Sequence, residues 1–577
     1  MTTTPSTSAA PPHAPARRLV IVGGVAGGMS AAARARRLDE DARIVVLEQS
    51  PYVSFANCGL PYHLSGEIAE RSDLLLHTAE SLRAALDLDV RTGHRVTAVD
   101  TAARTVTVAT ADGTYDEEYD ALLLAPGAVA VRPPITGLDH PAVHALRTVP
   151  DVDALRGRVD TVLAAASASG RVARAVVVGA GFIGLEAVEA LVARGLEVEL
   201  VELADHVLPP LDAELAPLLA QELRAHGVGL HLGTSVTAVT DGAPEGTVTV
   251  TLSDARTLPA DLVVVNVGVR PASDLARDAG LELSPRGAIR VDDDHRTSDP
   301  HVWAVGDAIE VRHAVTGDAG PVPLAGPANR QGRRAADSML GHRTTPQAPV
   351  QGTAIVRVFG LTAAVTGASQ AVLTRAGIEH EVVHVHPKHH AGYFPGAESV
   401  HLVASFAPDG RLLGAQGVGR DGVDKRIDVL ATALRAGMTA DDLAELELAY
   451  APPYGSAKDP VNMLGFVAQN ALDGTMPQWQ AADLDEVLAT SLVLDVRSAA
   501  ERAVAHLPAS LHVPHTELRT RLDEVRDAAA GRPVSVHCAS GVRSYLATRI
   551  LRGAGIDARN LSGGWLTLEA LRPDVAA

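Results

Sequence analysis

One local pattern occurs twice in this chain and limits what the chain can fold into. An apolar strand runs into a glycine-rich turn, a helix of small residues follows, and a second apolar strand ends in a carboxylate. The first copy reads LVIVGGVAGGMSAAARARRL from Leu19 and then ARIVVLE to Glu48; the second reads AVVVGAGFIGLEAVEALVARG from Ala175 and then LEVELVE to Glu202. Short, continuous apolar runs fit strands covered on both faces, and a helix between two such strands makes them parallel neighbours. The expected fold class is therefore α/β, with two separate parallel sheets.

Each turn also has a chemical use. A strand that ends in glycines and opens a helix aims free backbone N–H groups at a phosphate, and an acid ending the next strand takes ribose hydroxyls. The second copy has the full spacing, Gly179, Gly181 and Gly184 followed by Glu202. In the first copy Gly23 and Gly28 precede Glu48, and Val25 stands where the middle glycine belongs. Alone, that copy is also satisfied by a turn that merely needs its glycines. No Arg stands beside Glu202, and its carboxylate would repel a 2′-phosphate, so NADH is expected ahead of NADPH. Two dinucleotide units in one chain point to a flavoprotein holding FAD and NAD(P)H. The order of weaker signals agrees: ALLLAPGA brings a strand to a Pro-Gly turn at Gly127, and the strand-like VWAVGDAIEV offers Asp307 to the ribityl chain of a flavin.

Two cysteines, Cys58 and Cys538, exclude a disulfide-built scaffold and any multi-cysteine metal site, and no metal is expected. Cys58 lies in SFANCGLPYHLSG, a turn-rich loop just after the first acid, rather than in a β-branched run. A thiol there can pair with an oxidised flavin and form a mixed disulfide. It has no partner thiol in C-x-x-C or C-x4-C spacing. The second sulfur must come from a substrate or a persulfide, or an oxygen species must take its place as a sulfenate.

The formal charge of −19 repels phosphate backbones, so nucleic acid is not an expected partner. No apolar run reaches the roughly 18–20 residues of a spanning helix, and the Ser/Thr/Pro/Ala-rich start lacks a signal h-region. A cytoplasmic protein with a disordered tail is expected. Lysine occurs only at 388, 425 and 458, every other such cation being Arg, which draws attention to Lys458.

Near the C-terminal end, HCASGVRS follows the strand RPVSV and precedes a helix. Cys538 to Arg543, with Gly541 between, makes a short loop at a helix N-terminus, where N–H groups lower a thiol pKa and cradle an anion. Phosphatase loops use C-x5-R spacing. Here four residues intervene, which suits sulfane sulfur better than a phosphate ester.

Residues 18–470 resemble the single-cysteine branch of the pyridine nucleotide-disulfide oxidoreductases, the coenzyme A-disulfide reductases. GGVAGGMSAAARARR, SFANCGLPY, GAGFIGLE, AVGDA, LAGPANRQGR, HAGYFPGA and YAPPYGSAKDPVNM carry the resemblance, and Val25 is normal for this branch. Residues 480–577, with LVLDVRSAAERAVAHLPAS, the C-x4-R loop and NLSGGW, resemble a single-domain rhodanese. They depart from its usual Gly-His-Ile-Pro-Gly at Ala505–Ala509. The resemblance implies a homodimer of Rossmann-like FAD and NAD(P)H domains with an α+β dimerisation domain. It implies that Tyr393, Tyr450 and Lys458 lie near Cys58 of the other subunit, the tyrosines bonding sulfur or product and Lys458 the CoA moiety. Ser30, Arg34, Arg37, Ser54 and Asn57 resemble the family's CoA-side positions, and Arg34 and Arg37 are one helical turn apart. Cofactor contacts are expected at Gly23, Val25, Ala26, Gly28, Glu48, Gly127, Gly179, Gly181, Ile183, Gly184, Glu202, Gly268, Asp307, Ala325 and Ala328.

The expected division is a tail (1–17), an FAD domain in two parts (18–150 and 288–348), an NAD(P)H domain (151–287), a dimerisation domain (349–470), a linker (471–479) and the rhodanese domain (480–577). The expected reaction is reduction of CoA persulfide, polysulfide or CoA disulfide through Cys58, with Cys538 and Arg543 handling sulfane sulfur. Low-molecular-weight thiol persulfides or disulfides are the expected partners. An NADH oxidase or peroxidase using a Cys58 sulfenate, and a flavin-based sulfur sensor, are the alternatives.

Overall fold

The computed structural model describes residues 16–575, so nearly all of the tail expected at 1–17 lies outside the described residues. Four five-stranded sheets organise the chain. The first is wholly parallel, in the order Val302–Ala304, Ala121–Leu124, Arg18–Val22, Arg43–Glu48, Asp89–Thr92. The second repeats the arrangement with Gly229–His231, Glu197–Val201, Arg174–Val178, Leu262–Val265 and Val143–His144. Leu19–Ile21 and Ala175–Val177 are buried on both faces, as helix-covered parallel strands require. Each sheet carries a three-stranded antiparallel meander, Arg95–Glu118 and Val236–Ala260.

The two glycine turns have one geometry. Gly23 and Gly179 hold φ of +102° and +100°, and a Cβ on Gly28 or Gly184 would stand 1.9 Å from the carbonyl oxygen of Gly23 or Gly179. Helix and strand therefore approach more closely than any side chain allows. Val25, half-buried, does not disturb this.

The third sheet is antiparallel, in the order Ala354–Val358, Leu361–Gly367, Leu412–Gly419, Val400–Phe406, Glu381–Val385. The helices Val423–Ala436 and Pro460–Leu472 bury Ile427, Leu430, Val461 and Leu464 in the same apolar core as Leu402 and Phe406. The fourth sheet is parallel, in the order Gln478–Trp479, Ala558–Leu561, Val534–His537, Leu492–Asp495, Leu511–His512.

Two local readings of the sequence are corrected. VWAVGDAIEV is not one strand: it stops at Ala304, and Gly306–Ala308 forms a 3-10 turn with Gly306 at φ +79°. The aperiodic stretch expected to link the last two units enters the fourth sheet at Gln478–Trp479, where the Trp479 side chain is fully buried. A lone indole in a turn-rich stretch gave no period to read. The fourth sheet's unit is docked on the third: Ser562 Oγ meets His384 Nδ1 at 2.9 Å, Thr567 Oγ1 meets His386 Nε2 at 2.9 Å, and Gln480 donates to the Val382 carbonyl at 3.0 Å.

Candidate active site

The acids that end the second strand of each βαβ unit are bound alike. Glu48 accepts from Gly24 N and Ser50 N, both at 2.8 Å. Glu202 accepts from Ala180 N at 2.6 Å and Ala204 N at 2.8 Å. Each carboxylate is thus locked beside its own glycine turn by two charge-assisted bonds. The space around Gly181 and Gly127 is open, Ile183 is exposed, and Gly127 and Gly268 flank one small ribbon, Ala128–Ala130 paired with Val269–Pro271. Ala325 and Ala328 stand in the first turn of the helix Ala325–Met339, whose Gln331 accepts from Gly306 N at 2.8 Å beside Asp307. Burial pushes the Asp307 carboxyl up, against the Arg147 guanidinium 3.6 Å away. Two turns of phosphate-binding geometry, each with its acid, fit a pair of dinucleotides.

Cys58 sits in the 3-10 turn Asn57–Gly59 that leads into the helix Leu60–Ser65. Its side chain is open to solvent on one side and walled by protein on the other. Desolvation raises its pKa first, and the carboxylates Glu186 and Asp307 add to the effect. Glu186, half-buried on the helix Phe182–Ala193, is pushed up to about 7, chiefly by burial, while a bond from Tyr62 Oη at 3.3 Å opposes the shift. The sequence reading took GFIGLE for its glycines and missed this acid, which stands in the same motif.

A cleft of about 550 Å³ opens beside Cys58 and is lined also by Ser30, Arg34, Arg37, Ser54 and Asn57. These side chains come from the first glycine-turn helix, Ala26–Leu38, and from the cysteine loop. Ser30 donates to Asn329 Oδ1 at 2.6 Å, and Arg34 is held by Asp337 at 2.7 Å. Arg37 is exposed and has no ion pair among the described residues, so of the two arginines one turn apart only Arg34 is engaged. Asn329, Arg333 and His77 also line the cleft and were not singled out from the sequence. The first two lie in LAGPANRQGR, and nothing local marks them as cleft residues.

Lys458, Tyr393 and Tyr450 do not line this cleft within the one chain. They stand on the antiparallel unit, where Tyr393 and Tyr450 share a hydroxyl contact of 3.1 Å and are 77% and 48% exposed. Lys458 is exposed beside Asp459, whose carboxylate is buried against Arg426 at 2.9 Å and caps the helix Pro460–Leu472.

Cys538 follows the strand Val534–His537 and is buried. Gly541 N and Ser544 Oγ donate to its sulfur, both at 3.2 Å. Arg543 is gripped at both ends by Glu501, at 2.7 and 2.5 Å, and holds that carboxyl well below its usual range. A Cβ on Gly564 would stand 2.7 Å from Cys538 O and Gly541 N, so the GGW turn closes against this loop. His537 is wholly buried 5.7 Å from Trp565; burial pushes it down to about 4, which leaves it a neutral packing residue. No group of metal-binding side chains occurs among the described residues, and no helix there is long and apolar enough to cross a membrane.

Residues 17–332 match the pyridine nucleotide-disulphide oxidoreductase family, 353–460 its dimerisation domain and 476–570 the rhodanese-like domain. A coenzyme A disulfide reductase of Staphylococcus haemolyticus is 35% identical over 444 residues, 76% of this chain and 97% of that protein. The structure of reduced CoADR-RHD from Bacillus anthracis superposes with a TM-score of 0.92 at 41% identity, over 97% of this chain and 99% of that one. An NAD-dependent persulfide reductase from A. fulgidus superposes with a TM-score of 0.88 at 37% identity, over 95% and 99%.

Proposed function

Because the chain belongs to the pyridine nucleotide-disulphide oxidoreductase family and carries a rhodanese-like domain at its C-terminal end, we propose that it is an FAD-linked, NAD(P)H-dependent reductase of CoA persulfide and CoA disulfide. One observation carries this reading. A single cleft brings the lone thiol Cys58 together with Arg34, Arg37 and Arg333, cations suited to a phosphorylated thiol carrier.

Gly23, Gly28 and Glu48 with Asp307 would hold FAD, and Gly179, Gly181, Gly184 and Glu202 would hold the nicotinamide nucleotide. When bound, the two cofactors would supply the pair of electrons that the reduction needs. Burial, with the charges of Glu186 and Asp307, holds the Cys58 pKa above its ordinary value, and the thiol gives up its proton to solvent on its open side before it attacks. The Cys58 thiolate attacks the carbon-bound sulfur of CoA persulfide. This forms the Cys58–CoA disulfide and expels hydrosulfide; with CoA disulfide the leaving group is CoA thiolate. With a two-electron supply from the bound cofactors, the Cys58–CoA disulfide would be cleaved, returning the Cys58 thiolate and releasing CoA. Cys538 carries a sulfane sulfur as its own persulfide and yields it to the CoA thiol, which gives CoA persulfide and the free Cys538 thiol.

The reductase acts as a homodimer in the cytoplasm. Tyr393, Tyr450 and Lys458, exposed and outside the lining of their own chain's cleft, complete the cleft of the second copy. Cys58→Ser tests the central step. Bleaching of the flavin by NADH persists, whereas turnover of CoA persulfide and CoA disulfide is lost; unchanged persulfide turnover removes Cys58 from the mechanism. A second reading, NADH oxidation through a Cys58 sulfenate, draws on the open side of the thiol, which small oxidants can reach. Oxygen uptake with NADH alone, at rates rivalling persulfide turnover, would favour it.

A further inference from the structure

The helix Ala325–Met339 borders a second cleft, of about 330 Å³, closed on its other side by the segment 343–350. Four arginines line it, Arg330, Arg333, Arg334 and Arg343. The one carboxylate in its lining, Asp337, is already held by Arg34 at 2.7 Å. The cleft therefore carries an excess of positive charge on a molecule whose formal charge is −19.

Its interior polar groups point the same way. Arg334 Nη2 donates to Thr345 Oγ1 at 3.2 Å, but Arg334 Nη1, Gln347 Nε2 and both ring nitrogens of His295 are buried with no hydrogen-bond partner among the described residues. His295 is 0% exposed, and its backbone is held in the left-handed region at φ +62°, a conformation a non-glycine residue adopts at a cost. Burial and the Arg334 charge push the imidazole down to about 4, so it is neutral and offers one N–H donor. Unmatched buried donors are expensive, and these come from three separate segments onto one cavity. What they lack is an acceptor with several oxygens.

We propose that this second cleft is a binding site for a phosphate group, borne either by a free phosphate or by a phosphorylated nucleotide. Arg333 lines both clefts, and the Arg34–Asp337 pair joins a residue of the first to a residue of the second, so occupation of one is felt at the other. The inference rests on the geometry of this cleft and not on the proposed reaction.

Isothermal titration of the holoenzyme at about 0.15 M salt tests it, with inorganic diphosphate and adenosine 3′,5′-bisphosphate as separate probes. At least one probe binds with a dissociation constant below about 1 mM. Arg334→Gln and the exposed-site variant Arg343→Gln each weaken it about tenfold or more. Competition by CoA disulfide assigns the phosphate to a nucleotide that spans both clefts; additive binding assigns it to a free phosphate. Absence of binding by both probes overturns the site. So does affinity in Arg343→Gln equal to that of the parent protein, a comparison that stands even if Arg334→Gln does not fold.

Discussion

Glu202 shows how much a single carboxylate is asked to do. It accepts two backbone N–H bonds, at 2.6 and 2.8 Å, and still stands at the mouth of an open glycine turn. Removing a charge-assisted acceptor of this kind costs ~1.5–3 kcal/mol. Glu202→Ala should therefore weaken NADH by roughly tenfold or more and NADPH by less, since the 2′-phosphate is relieved of a repulsion; steady-state KM values for both coenzymes check this. Glu186 makes a prediction in pH. Its pKa is raised to about 7, so above that pH it carries the charge that raises the Cys58 thiol's pKa. The kcat/KM for CoA disulfide should rise with pH as the Cys58 thiol ionises, and Glu186→Gln, which removes one of the charges that raise the thiol, should shift that limb to lower pH. A pH profile of Glu186→Gln that keeps the same limb would assign it to another group.

Among the elements, the loop around Cys538 depends on a turn that is distant from it in sequence. Gly563 and Gly564 hold φ of +70° and +65°, and Trp565 N donates to the Cys538 carbonyl at 2.7 Å. Gly564→Ala would drive a methyl group into Cys538 O, Gly541 N and Ser540 N. A displacement of about 1 Å at the reacting sulfur costs on the order of 100-fold. Sulfur transfer from thiosulfate should fall by that order, with reduction of free CoA persulfide spared. Equal loss of both activities would mean that the two units work only as one. The helix Ala26–Leu38 carries the complementary lesson. It opens at the first glycine turn and presents Ser30, Arg34 and Arg37 to the cleft, so one element serves both sites.

At the scale of the whole molecule, the cleft beside Cys58 and the Tyr393–Tyr450 pair lie on different units, and the pair is too exposed to serve packing. A sedimentation mass of about twice 59.8 kDa is expected. Mixing Cys58→Ser protomers with Tyr393→Phe/Tyr450→Phe protomers should restore activity. One of the two sites in the mixed dimer then has its cysteine from one chain and its tyrosines from the other. With both parent homodimers inactive, no recovery in a verified mixed dimer would place the tyrosines outside the partner's site.

The sequence alone determined the two βαβ units, the acids Glu48 and Glu202, the lone thiol and the loop from Cys538 to Arg543. Each is written in neighbouring residues by a local rule: a turn that only glycine fits, a strand that only apolar residues fill, a cysteine at a fixed spacing from its arginine. Tertiary structure alone decided that Arg34 is engaged by Asp337, that Glu501 grips Arg543, that the charges of Glu186 and Asp307 act on the Cys58 thiol, and that orphaned donors from three segments meet in a second cleft. Charge pairing and desolvation act through space between groups far apart along the chain, and no periodicity or spacing in the sequence encodes them.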